Sequence, residues 1–254
     1  MKKNTQINLI EGPIAKNIVR FAVPMFLGNL FQQLYNMADS LVVGNFLGSS
    51  SLAAVTSTGS LIFLLVGFFS GTAMGAGVVI SRFFGAKDYN NIKKAVHTDI
   101  AFGILCGILM TVVGVIFAPQ ILSLMGTPDD VFVESVRYIR IYFLGSLAVI
   151  MYNVCMGILQ AVGDSRHPLY YLIISSVVNI ILDLLFIGIF RFGVGSAALA
   201  TIISQFLSVV LCMRRLIKTD DVYRVCIKDI AFDKGILVRI LNIGLPSGLQ
   251  NSII

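Results

Sequence analysis

Six stretches of this chain stay apolar, with few charges, for long enough to cross a bilayer, and this pattern leaves few folds open. They cover residues 21–46, 52–80, 95–118, 137–160, 169–190 and 194–213. A seventh begins near Ile236 and is still running at Ile254. A helix of about 20 apolar residues crosses the roughly 30 Å hydrocarbon core of a bilayer. The runs are continuous rather than alternating, so they read as helices and not as the strands of a barrel. Of all residues, 57% are hydrophobic and 13% are charged, with a mean hydropathy of +0.89. Soluble domains carry about one quarter charged residues, and a small globule needs them to cover its surface. A soluble enzyme, a disordered chain and a coiled coil are thereby excluded. The expected class is an all-α polytopic membrane protein.

The N-terminus does not read as a cleavable signal. Glu11, Pro13, Lys16 and Arg20 fall where a short apolar core would sit, and the run from Phe21 to Leu47 is too long for one. Orientation follows from where Lys and Arg fall. With the N-terminus inside, 16 of the 19 lie on inner segments; Arg137, Arg140 and Arg191 lie outside. The net charge of +6 is therefore a topology signal for a multi-pass protein of the cytoplasmic membrane, in contact with lipid, with no nucleic-acid partner implied. Trp is absent, so interfacial anchoring falls to tyrosines such as Tyr89, Tyr138, Tyr170 and Tyr171. The four cysteines show no CxxC or paired spacing, so neither a disulfide framework nor a zinc site is suggested, and no cofactor motif is present.

Internal organisation points to half of a duplicated molecule. NIVRFAVPMFLGNLFQQ (17–33) and RILNIGLPSGLQN (239–251) superpose on Pro24 and Pro246, with small residues and amides after each proline. Six spans separate them, so both copies begin inside, as in a parallel repeat of two six-helix lobes. The expected division is an N-terminal six-helix lobe over 1–217, a cytoplasmic inter-lobe loop over 218–235, and the truncated start of a C-terminal lobe over 236–254. On this reading the chain is a fragment whose partner is the missing lobe.

Polar residues recur on three spans. Asn29, Gln32, Gln33, Asn36 and Asp39 in span one share an arc of about 120° at 100° per residue. Span five carries Ser175, Ser176, Asn179 and Asp183; span six carries Thr201, Ser204, Gln205 and Ser208. Lipid cannot satisfy them, so the stripes face one another or a wet cavity. Amides and hydroxyls serve equally as glue between helices or as a cavity lining. The carboxylates ask for more, since an acid inside the membrane costs several kcal/mol or more. Asp39 lies as far beyond Pro24 as Asp183 lies beyond Pro168, on spans running the same way. Both then sit about 22 Å above the cytoplasmic face, at 1.5 Å per residue. Two acids at one depth, with Asn179 one turn away, can take up and release protons; the bland alternative is a permanently protonated structural pair. Asp99, close behind Lys93, Lys94 and His97, reads as interfacial. GTAMGAG (71–77) lacks GxGxxG and reads as small-residue helix packing. His97 and His167 sit in or near polar loops with no metal-ligand partners in sequence, and no residue reads as catalytic.

DSLVVGNFLG (39–48), SLAAVTSTG (51–59), SRFFGAKD (81–88), ILQAVGDSRHP (158–168) and NIILDLLFI with FGVGSAALATIISQ (179–205) together resemble the N-terminal half of multidrug and toxic compound extrusion (MATE) transporters. The resemblance covers the whole chain in order. It implies twelve helices in two lobes and cation-coupled efflux of drugs or organic cations. It also carries the family's N-lobe proton site onto Asp39, Asn179 and Asp183, with Thr201 in the same network and Asn153 as a further match. The sodium site of some members lies in the lobe missing here, so the coupling ion is H+ or Na+. A lipid-linked saccharide flippase of the same superfamily would share the architecture, but with a more cationic cavity. An intramembrane aspartyl protease would need GxGD, and AVGD (161–164) lacks the first glycine. A seven-helix receptor would need the opposite orientation.

Overall fold

The computed structural model describes residues 13–253. Eight α-helices account for nearly all of them: α1 (Ile14–Leu47), α2 (Ser49–Gly85), α3 (Tyr89–Leu124), α4 (Asp129–Leu144), α5 (Ser146–Ala161), α6 (Arg166–Asp183), α7 (Gly195–Lys218) and α8 (Lys234–Ile253). A π-helical turn (Leu184–Ile189) extends α6, and a 3-10 turn (Ile227–Asp229) interrupts the loop before α8. No strand occurs among the described residues. The membrane-spanning all-α class expected from the apolar runs is the class observed.

The expected spans fall on helices, with 137–160 divided between α4 and α5 and 169–190 continuing from α6 into the π turn, but the helices differ in how apolar they are. Four are each long and apolar enough to cross a membrane: α2, α3, α6 with its π turn, and α7. A fifth forms if α4 and α5 are taken together, bent by 47° on either side of Gly145. An alanine Cβ at Gly145 would lie 2.2 Å from Ile202 Cγ1, so α7 packs closely against the bend. α1 has 34 residues, yet the amides and acid of its polar stripe dilute its apolar run below that mark.

Local chemistry sets the helix ends. Asp88 caps α3 by accepting from the Asn91 amide at 3.2 Å, and Asp129 and Asp130 oppose the dipole in the first turn of α4. Gly163, at φ 84°, supplies the left-handed residue that turns α5 into α6. The largest buried cluster, with Ile80, Ile92, Ile158, Leu216, Tyr223 and Ile240, gathers α2, α3, α5, α7, α8 and the loop before α8. A second, with Val43, Val55, Tyr138, Ile187 and Ala197, joins the far ends of α1, α2, α4 and α7. Tyr138, expected as an interfacial anchor, is thus a core residue, because the neighbouring helices close over its side of α4.

The tightest glycine contacts in the bundle include those between α2 and α8. Gly71 and Gly75 meet Gly248 and Gly244 so closely that an added Cβ would lie 2.4 Å and 2.3 Å from the opposing Cα atoms. The small residues at 71–77 are thus helix packing, against the last helix of the chain.

Candidate functional site

Packing between α1 and α6 sets their register. Gly28 leaves room for Leu169 and Leu172, whose nearest atoms would lie 3.9 and 3.8 Å from a Cβ there. The step along α1 from Gly28 to Asp39 equals the step along α6 from Leu172 to Asp183. Parallel helices in contact at one level remain matched about 16 Å further along. Asp39 and Asp183 accordingly come within electrostatic reach of each other. Both acids are buried, Asp183 completely. Neither forms an ion pair with a cation among the described residues. Both Asp183 oxygens and Asp39 Oδ1 lack a hydrogen-bond partner.

Three further side chains complete the cluster. Tyr35, one turn before Asp39, lies beside Gln205 of α7 and in electrostatic reach of both acids. Tyr138 of α4, 4% exposed, is within reach of the same two carboxyls. The cluster therefore draws on α1, α4, α6 and α7. Immediately after Asp183 the helix widens into the π turn, a local distortion often found at functional sites. Sequence reasoning singles out neither tyrosine for the site. Tyr35 falls within the polar stripe of span one, at the helical spacing of Gln32 and Asp39, and that is the available signal. Tyr138 carries none beyond its lying in a span.

The remaining candidates divide. Asn179 is buried one turn before Asp183, and neither its amide nitrogen nor its oxygen has a hydrogen-bond partner. Thr201 is buried one turn from Gln205, with its hydroxyl donating to Ala197 O at 3.1 Å. Gln205 Oε1 and the Ser208 hydroxyl are also buried without partners. Asn153 works elsewhere: its amide donates to Val149 O at 2.8 Å and its Oδ1 accepts from Ser70 Oγ at 2.9 Å, tying α5 to α2. The stripe of span one splits. Asp39 turns inward and Gln32 is half-buried, while Asn29, Gln33 and Asn36 lie on the exposed surface of the bundle.

At the other end of the bundle, Asp99 is 1% exposed, with Oδ2 unpartnered. His97 lies within α3 beside the loop before α8 and is 2% exposed. The reason is the segment before α8, which folds over the first turns of α3. His97 Nδ1 faces Lys93 O at 2.7 Å and Nε2 accepts from the Cys226 amide at 3.0 Å. Thr98 Oγ1 accepts from the Asp233 amide at 3.1 Å, and Lys93 and Lys94 pair with Asp229 and Asp233 at 2.7 and 3.6 Å. Lys93 holds the Asp229 carboxyl below its ordinary range. His167 faces the buried carboxylate of Asp164 at 2.6 Å, and Arg215 approaches the same oxygen at 3.8 Å. No group of three His, Cys, Asp or Glu suited to a metal occurs among the described residues.

Comparison with known proteins adds to this geometry. The MatE family model matches residues 24–185. The probable multidrug resistance protein YoeA of Bacillus subtilis (strain 168) is 35% identical over 240 residues, which is 91% of this chain and 51% of that protein. Among solved structures, the fold is similar to the outward-facing conformation of a multidrug resistance MATE family transporter of the MOP superfamily. The TM-score is 0.90 at 28% identity, over 99% of this chain and 56% of that one. It is similar also to an inward-facing conformation of such a transporter, at a TM-score of 0.81 and 27% identity over 92% of this chain and 55% of that one. The chain spans about half the length of the relatives it matches. Family model, relatives and fold agree with the motifs read in order along the sequence: the chain belongs to the MATE family of multidrug efflux transporters.

Proposed function

We propose that this chain is the N-terminal lobe of a proton-coupled antiporter that exports drugs or other amphipathic organic cations across the cytoplasmic membrane. In that reading residues 1–217 form the lobe, 218–235 the cytoplasmic connection, and 236–254 the start of the second lobe. The observation that carries it is the neighbouring pair Asp39–Asp183, buried together and unopposed by any cation among the described residues.

The pair joins α1 to α6, so its protonation acts on helix position. With one proton shared, the two carboxyls hold the helices together. With none, two negative charges face each other. At about 4 Å and an effective dielectric near 20, that repulsion is about 4 kcal/mol, enough to move a two-state equilibrium about a thousandfold. The unprotonated pair draws an organic cation and spreads α1 from α6. Proton entry from outside closes them, removes the negative field and releases the cation outward. Asn29, Gln33 and Asn36, exposed on α1, then line the cavity shared with the second lobe. Alternating access by rocking of the two lobes follows from the parallel repeat. The stripes carry acids and amides rather than cations, which favours organic cations over a lipid-linked saccharide as cargo.

The test uses the full-length transporter in energised vesicles, with dye efflux measured at several external pH values. Asp39→Asn and Asp183→Asn keep size and hydrogen bonding but remove the charge change. Each should reach the membrane at normal levels and lose pH-dependent efflux, and Asn179→Ala should weaken coupling less. Efflux at wild-type rates in both Asp variants would overturn the proposal. Efflux that follows an imposed sodium gradient and ignores pH would replace the proton by Na+.

A further inference from the structure

On the side of Gly28 away from Asp39, an open cleft of about 630 Å³ lies along the start of α1, with Arg166 at the start of α6 closing one side; its volume is in the range of small-ligand sites. Val19, Val23 and Pro24 of α1 form its apolar wall, and Lys16, Arg20 and Arg166 set three cations around it. No acidic residue lines it among the described residues. None of the three cations is ion-paired among them either. The nearest acid by sequence to Arg166, Asp164, is engaged by His167 and Arg215 instead. Val19 and Val23 are 61% and 48% exposed.

Charge and apolar surface are graded along this cleft. Lys16 and Arg20 are one turn apart, and Pro24 lies one turn deeper, about 12 Å from Lys16 along the axis. That distance runs from the headgroup layer into the first part of the acyl region. A lone Lys or Arg at a helix end snorkels and needs no concavity. Here cations from two helices line one, with apolar wall below them and no counter-ion among the described residues. Guanidinium forks suit phosphate oxygens, and basic pockets between helices on the cytoplasmic side suit anionic headgroups. We propose that the cleft binds an anionic phospholipid of the inner leaflet, its phosphodiester held by Lys16, Arg20 and Arg166 and an acyl chain lying along Val19, Val23 and Pro24. The site is separate from the acid pair and rests on the proposed orientation alone, with the start of α1 on the cytoplasmic side.

The experiment is native mass spectrometry of the purified full-length protein, with phosphatidylglycerol or phosphatidylcholine added at equal concentration. Phosphatidylglycerol should be retained preferentially. Each of Lys16→Gln, Arg20→Gln and Arg166→Gln should weaken its retention about fivefold, and the triple variant roughly a hundredfold. Lys16→Arg should keep it, and Lys87→Gln, a charge outside the cleft, should leave it unchanged. Val23→Ser should weaken diacyl lipid binding, and inorganic phosphate should compete poorly because it makes no apolar contact. Equal retention of the two lipids, equal effects of the cleft variants and Lys87→Gln, or full displacement by inorganic phosphate would overturn the proposal. So would displacement by a transported dye, which would make the cleft part of the cargo path. The readout does not depend on transport, so its failure is distinct from failure of the coupling reading.

Discussion

Alanine at Gly75 places a methyl group where α8 leaves no room. Its Cβ would lie 2.3 Å from Gly244 Cα and 2.4 Å from Gly244 N, whereas ordinary contact begins at 3.4 Å. The helices must part, because the obstacle is backbone and no rotamer can turn aside. Overpacking of this kind costs about 1–3 kcal/mol, with rigid obstacles at the upper end. Alanine recovers about 0.5–1 kcal/mol over glycine within a helix. The expected net loss is about 1–2 kcal/mol. Gly59, on the same helix, has nothing within 4 Å of its added Cβ, so Gly59→Ala should be stabilising by the helical gain alone. Thermal melting of the full-length protein can be followed with a thiol-reactive dye, since Cys155 and Cys212 are fully buried until the bundle opens. Gly75→Ala should melt lower than wild type and Gly59→Ala at or above it. Equal shifts in both would refute the reasoning that backbone contact, and not glycine content, sets the α2–α8 seam.

Other expectations concern the end of the bundle at the start of α3. His97→Ala leaves the Cys226 amide without its acceptor, a loss of about 1–3 kcal/mol for a buried donor, and amide exchange at Cys226 should accelerate by about tenfold or more. The Lys93–Asp229 pair is exposed and therefore weak and salt-sensitive. Lys93 holds the Asp229 carboxyl low, so the pair's contribution is present at neutral pH and is lost only as pH falls below about 4. A spin label at Lys228 should gain mobility there, and Asp229→Asn should abolish that pH step. Asp164→Ala removes the acceptor shared by His167 and Arg215 and should cost about 1–3 kcal/mol of stability in thermal melting, with Asp164→Asn milder.

How much of this is legible in the sequence depends on whether a feature is local along the chain. The depths of Asp39 and Asp183 follow from rise per residue and two prolines, and the helices do bring the acids together. The small residues at 71–77 announce a close helix contact by lacking side chains. What they do not carry is the identity of the partner. Nothing in 71–77 points to Gly244 and Gly248, and nothing in the apolar run around Tyr138 separates it from other aromatic core residues. The burial of His97 and Thr98 is not legible from sequence because the loop before α8, distant along the chain, supplies their partners. The π turn after Asp183 leaves no mark in LLFIGI, since such widening is settled by packing. The partners of Asn153 are likewise not legible in sequence: its hydrogen bonds bind α5 to α2.

Proton exchange at the Asp39–Asp183 pair can be measured without transport. The full-length protein in weakly buffered detergent solution is titrated with a transported organic cation while released protons are counted with a pH dye. Binding of the cation should expel a proton from the pair, giving a release that approaches one per cation bound at a pH where the shared proton is held. Asp39→Asn and Asp183→Asn should bind with little or no release. The same release from both variants, or cation binding by wild type with no proton expelled at any pH, would contradict the account.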